Sequence, residues 1–116
     1  MKTFSSVLSK RWLLGAGGAV AIAAVAFGTQ AFLVQWHTTR ARQFLRARDY
    51  PRAQRELRSG VWLAPDRGEN YLLLARLQRR LGNASRSAAL LRWAESLGAD
   101  AERVERENVL LVAQRG

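Results

Sequence analysis

The chain contains no cysteine, which excludes disulfide staples and thiolate metal sites and leaves the redox compartment open. Its 116 residues hold one histidine, His37, and two prolines, Pro51 and Pro65. A histidine-dependent acid or base would need partners that the sequence does not mark. No phosphate-cradling glycine loop and no metal-ligand spacing occurs. Ser85, Ser87 and Ser96 lie at a helix start or within a helix, without a nucleophile turn. Apolar-polar alternation of the strand type is missing throughout. Together these absences point away from an enzyme, and neither a cofactor nor a metal is expected.

Charge is missing from one stretch altogether. Trp12 to Trp36 reads WLLGAGGAVAIAAVAFGTQAFLVQW. A helix rising about 1.5 Å per residue carries that length across a hydrocarbon core of about 30 Å. Trp12 and Trp36 close its ends, where amphipathic rings favour the headgroup level. The stretch is read as a single transmembrane helix, residues 12–36, behind a polar tail, residues 1–11, carrying Lys2, Lys10 and Arg11. That layout also matches a secretory signal, with small residues at Ala24-Val25-Ala26 and Thr29-Gln30-Ala31 suited to cleavage. The apolar run continues past both sites, so a retained signal anchor is expected. Gly15, Ala19, Ala23 and Ala26 share one helical face, which would let a neighbouring helix approach closely.

What remains is strongly basic. The net charge is +10, and seventeen of the nineteen basic residues are arginine. Residues 34–67 carry a net +5, residues 68–101 +2 and residues 102–116 zero. The excess lies beside the apolar stretch, where each basic residue gains about 1 kcal/mol from anionic lipid. Membrane lipid is therefore an expected partner and nucleic acid is not, since no recognition helix or stacking motif accompanies the charge. Orientation is contested. The signal-like start favours export of the domain, whereas Arg40, Arg42, Arg46, Arg48, Arg52 and Arg55 favour a cytoplasmic one. The expectation is a single-pass protein of a bacterial inner membrane, its domain on the periplasmic side.

From Val34 onward the pattern is helical. The first domain helix continues from the span, because no Gly or Pro falls between Gly28 and Asp49. Asp49 caps a second helix with Pro51 in its first turn, ending near Leu63. A third runs from about Glu69 to Leu81 and stops at Gly82. Asn83 is expected to cap a fourth, which ends near Leu97 with Gly98 following, and Asp100 to cap a fifth. The fold class is all-α: an N-terminal transmembrane helix followed by antiparallel helix hairpins over residues 37–116.

An offset of 34 aligns residues 34–67 with 68–101. Small residues pair at Ala41/Ala75, Ala53/Ser87 and Gly60/Ala94, and large ones at Leu57/Leu91 and Leu63/Leu97. With Pro65 closing the first copy and Leu81-Gly82-Asn83 as a turn, residues 34–101 resemble two tetratricopeptide repeats. Departures are His37 and Tyr71 where a tryptophan is usual, Arg48 for a turn glycine, and Ala99 for the second closing proline. Residues 102–116 resemble the first helix of a third repeat, either a cap or an interrupted repeat, giving an α-solenoid of about two and a half repeats. Glu102, Glu105 and Glu107, among Arg103 and Arg106, read as a solvated face.

The resemblance implies a concave protein-binding groove lined by Thr38, Arg42, Arg46, Arg76, Arg79, Arg80 and Arg106. Arg42/Arg46 and Arg76/Arg80 are i,i+4 pairs that could grip an acidic segment or a terminal carboxylate. The family's carboxylate clamp also uses asparagines on this face, and Leu73 stands where one is expected. Two functions follow: a membrane-anchored scaffold for protein–protein interaction, or a structural accessory subunit of a larger inner-membrane complex, respiratory, photosynthetic or secretory. Partners would be other proteins, through acidic segments or neighbouring transmembrane helices.

Overall fold

The computed structural model describes the backbone of residues 2–115 and the side chains of residues 17–115. Among the described residues there are five helices and no strand: α1 (Lys2–Arg46), α2 (Tyr50–Leu63), α3 (Gly68–Arg80), α4 (Ala84–Ser96) and α5 (Ala101–Arg115). The chain divides within α1, after Phe32, into two units. The first is helical from Lys2, so residues 2–11 of the expected polar tail belong to α1. From Gly17 the helix is long and apolar enough to cross a membrane, with a mean hydropathy of 1.8 and 6% burial over its most apolar window. Its large side chains Val20, Ile22, Val25, Phe27 and Phe32 are exposed, as are Ala19, Ala23 and Ala26. The side chain of Trp12 and the surroundings of Gly15 lie outside what the structure describes.

In the second unit, residues 33–116, α3 lies between two apolar clusters. Leu73 and Leu77, one turn apart, join Ala41 and Leu45 of α1 and Ala53 and Leu57 of α2. Leu72 and Ala75, on another face of α3, join Leu91 and Ala94 of α4 and Val104 and Leu111 of α5. A helix buried on two faces needs apolar residues beyond a single stripe, and the run Leu72-Leu73-Leu74-Ala75 supplies them. Close approach rests on small residues. Ala41, Ala53, Ala75 and Ala94 are fully buried, and the Ser87 hydroxyl donates to the Ala75 carbonyl at 2.8 Å. Leu63 and Leu97 are only half-buried.

Three turns close by one device. The amide of the third residue past the helix reaches back five residues: Asp49 to Phe44, Asn83 to Gln78 and Ala99 to Ala94, all at 2.8–2.9 Å. The residue before each takes a left-handed backbone, with φ of 57° at Arg48, 84° at Gly82 and 80° at Gly98. Arg48 therefore occupies a conformation that suits glycine. The turn from α2 to α3 has no such residue. There the Tyr71 hydroxyl donates to the Pro65 carbonyl at 2.9 Å.

The caps follow the sequence in part. Asp49 Oδ1 accepts the Arg52 amide at 3.4 Å, and Asp100 Oδ1 accepts the Glu102 amide at 3.0 Å. Asn83 occupies the cap position of α4 but makes no capping bond with its side chain. Its amide donates instead to the buried Gln78 side chain at 2.7 Å.

Two substitutions test this packing in opposite directions. A Cβ on Gly68 would meet Ala94 O and Ala99 N at 2.8 Å, the two atoms of the bond that closes α4. Gly68→Ala is expected to destabilise the domain by about 1–3 kcal/mol despite alanine's better helix propensity. Arg48→Gly relieves a left-handed residue and should stabilise by about 1 kcal/mol. Chemical denaturation of the detergent-solubilised chain reads both.

Candidate functional site

Arginines gather where the end of α1, α3 and α5 meet. Arg42, Arg46, Arg76, Arg80 and Arg103, with the aliphatic Leu45, line a groove of about 360 Å³. Helical spacing sets the walls: Arg42 and Arg46 are one turn apart on α1, Arg76 and Arg80 one turn apart on α3. Like charges at that spacing repel, so the cluster requires counter-charge, and two glutamates behind the wall provide it.

Glu69, in the first turn of α3, accepts from Arg42 of α1 and from Arg103 of α5, the latter at 2.6 Å. Glu107 of α5 is 2% exposed and binds two arginines of α3. Its Oε1 accepts from Arg76 Nε at 2.7 Å and its Oε2 from Arg79 Nε at 2.9 Å. A carboxylate this deeply buried is tolerable only when paired, and removing one partner of such a pair costs about 3–5 kcal/mol. Burial pushes the Glu69 carboxyl up, and the hydrogen bonds and charges of Arg42 and Arg103 outweigh it, holding it below its ordinary value.

Six arginines, Arg79 included, thus share two carboxylates, leaving an excess of four positive charges. Arg80 Nη1 donates to the Leu45 carbonyl at 2.9 Å, satisfying one of the acceptors at the end of α1. Arg46 is exposed and makes no ion pair among the described residues. The groove is therefore strongly cationic and rich in unused N–H donors.

Of the residues expected from sequence, Arg42, Arg46, Arg76 and Arg80 line the groove. Arg79 lies behind it on Glu107. Thr38 does not reach it. That side chain is 3% exposed, 2.8 Å from both the Val34 carbonyl and Asn70 Oδ1. Arg106 pairs with Glu102 one turn away on an exposed surface and is not among the lining residues. Arg103, absent from the sequence expectation, completes the wall.

Glu107 corrects the reading of α5 as a solvated acidic face. The signal was present: Val104, Glu107 and Leu111 follow one another at steps of three and four, so Glu107 interrupts an apolar stripe. His37 lies edge-on to Trp36, ring centroids 5.2 Å apart, and bonds to Glu56 of α2, while Arg40 Nε lies 3.6 Å from the same carboxylate. The Arg40 guanidinium stacks on the exposed Trp36 ring, 4.6 Å from its centroid. Asn70, 1% exposed, is accommodated because Gly60 has no side chain, and its Nδ2 is unpaired among the described residues.

No protein-family model, curated protein or solved structure matches the chain. The depressed Glu69 value fixes the sign of an acid effect: its contribution to stability is complete above the ordinary carboxylate range and disappears as pH falls through the lowered value. Denaturation midpoints measured from neutrality down to about pH 3 should fall for the wild type, and fall less steeply for Glu69→Gln.

Proposed function

We propose that the chain is a membrane-anchored scaffold of the tetratricopeptide kind, which recruits other proteins through the arginine-lined groove. The observation that carries this reading is the groove itself: four uncompensated positive charges on a helical framework, braced by buried carboxylates. An acidic segment of a partner protein suits it, because forked guanidinium–carboxylate bonds supply both energy and register. The repeat reading draws support from burial. Ala41 and Ala75, Ala53 and Ser87, Leu57 and Leu91, and Gly60 and Ala94 are buried in both copies. Arg48 and Gly82, equivalent at the offset of 34, share the left-handed turn conformation. On this reading the apolar helix anchors the domain in a bacterial inner membrane, with the groove on the periplasmic side, and binding rather than catalysis is the activity.

The second reading, an accessory subunit of a larger inner-membrane complex, is favoured by a different observation. Ala19, Ala23 and Ala26 are exposed along the apolar helix, and Trp62 and Trp93 are 83% and 61% exposed on α2 and α4. Small residues on a span invite lateral helix packing, and exposed tryptophans suit a docking surface.

Co-purification from native membranes after gentle detergent extraction separates the two. Arg46→Glu with Arg80→Glu cancels the excess of four positive charges without stranding Glu107. For a scaffold, this pair should reduce recovery of partners by about tenfold or more, and Ala19→Leu with Ala23→Leu should leave it intact. An accessory subunit predicts the reverse. Indifference to both pairs means that neither surface is used.

A further inference from the structure

Neither glutamate of the cluster lines the groove. Each lies behind it and bridges two arginines. Glu107 ties Arg76 and Arg79 through Nε alone, one arginine to each carboxylate oxygen, so the terminal nitrogens of both guanidiniums are not consumed by it. Glu69 takes one terminal nitrogen from Arg42 and one from Arg103, which belong to different helices. Every guanidinium keeps donors beyond those the glutamates use. Arg46, and Arg80 beyond its bond to the Leu45 carbonyl, carry no carboxylate among the described residues.

We propose that Glu69 and Glu107 are positioning residues for anion recognition, fixing the lining arginines Arg42, Arg76 and Arg103 so that their unused N–H edges converge on the groove. This inference rests on the groove reading above and adds something that charge alone would deny. Counting charges, each carboxylate weakens an anion site, and its removal should tighten binding. The geometry says the opposite. Unbraced, neighbouring guanidiniums on Arg42, Arg76 and Arg103 repel and spread into solvent, and an incoming carboxylate must then order each flexible side chain itself. Braced, they are ordered in advance, and forked bonding depends on the angle of the guanidinium plane as well as its charge. The two carboxylates are not among the lining residues, so their residual repulsion of a ligand is small beside that ordering.

The test uses the full chain in detergent, with a fluorescein-labelled hexaglutamate peptide as probe and fluorescence anisotropy at low salt as readout. Glu69→Gln is chosen because Glu69 is partly exposed and its loss strands no buried charge. It makes the protein more positive, yet the expected result is affinity about fivefold weaker. In an Arg42→Ala/Arg103→Ala background, where Glu69 has nothing to position, the same substitution should weaken binding no further. Affinity that is unchanged or tighter in the native background overturns the inference, as does an equal loss in both backgrounds, which marks a purely structural role. Circular dichroism on the same samples checks folding. Should Glu69→Gln unfold the domain, Arg42→Lys/Arg103→Lys replaces it, keeping the charge without the fork. Weaker binding by that pair upholds the inference, and undiminished binding overturns it. A wild-type chain that ignores the probe removes the groove reading and this inference together, whereas a wild type that binds with Glu69→Gln at full strength removes this inference alone.

Discussion

Helix α3 has to satisfy three environments at once, and the rest of the domain is arranged to let it. One face meets α1 and α2 through Leu73 and Leu77, another meets α4 and α5 through Leu72 and Ala75, and the remaining face carries Arg76 and Arg80 into the groove. A helix so enclosed cannot be approached closely unless its neighbours are small where they touch it. Hence Gly60 against Asn70, Ser87 against Ala75, and Gly68 against the turn that ends α4. The framework is set by backbone distance first, and large side chains fill what is left.

Much of this was legible in the chain because it depends on local chemistry. Gly82 and Gly98 end helices through a left-handed residue, Asp49 and Asp100 begin them with a side-chain acceptor, and the apolar stretch before Trp36 announces itself by length alone. The repeat offset also located the small positions, since two copies of a constraint are easier to see than one. The structure adds that Arg48 obeys the same turn rule as Gly82 without being glycine, which composition alone conceals.

What escaped the sequence depends on distance along the chain. Glu69 finds partners 27 and 34 residues away, and Glu107 partners 31 and 28 away. No local pattern states which arginine a carboxylate will choose, so a cluster that reads as solvated charge becomes a buried junction. Thr38 was misplaced for a related reason: its position on a helical face is readable, but whether that face meets a neighbour is not. Asn83 shows the same limit over only five residues, because its Nδ2 donates to Gln78 and its side chain makes no capping bond.

The arginine wall spans three helices but is completed by α5, which supplies Arg103 to it and Glu107 behind it. Few buried groups hold that helix: Val104, Glu107 and Leu111. Occupancy of the groove and seating of α5 are therefore linked equilibria. Whatever binds only the assembled wall also holds α5 down, by the same free energy with which a seated α5 favours binding. A site built this way reports, through its affinity, on the integrity of a helix most of whose surface lies outside it.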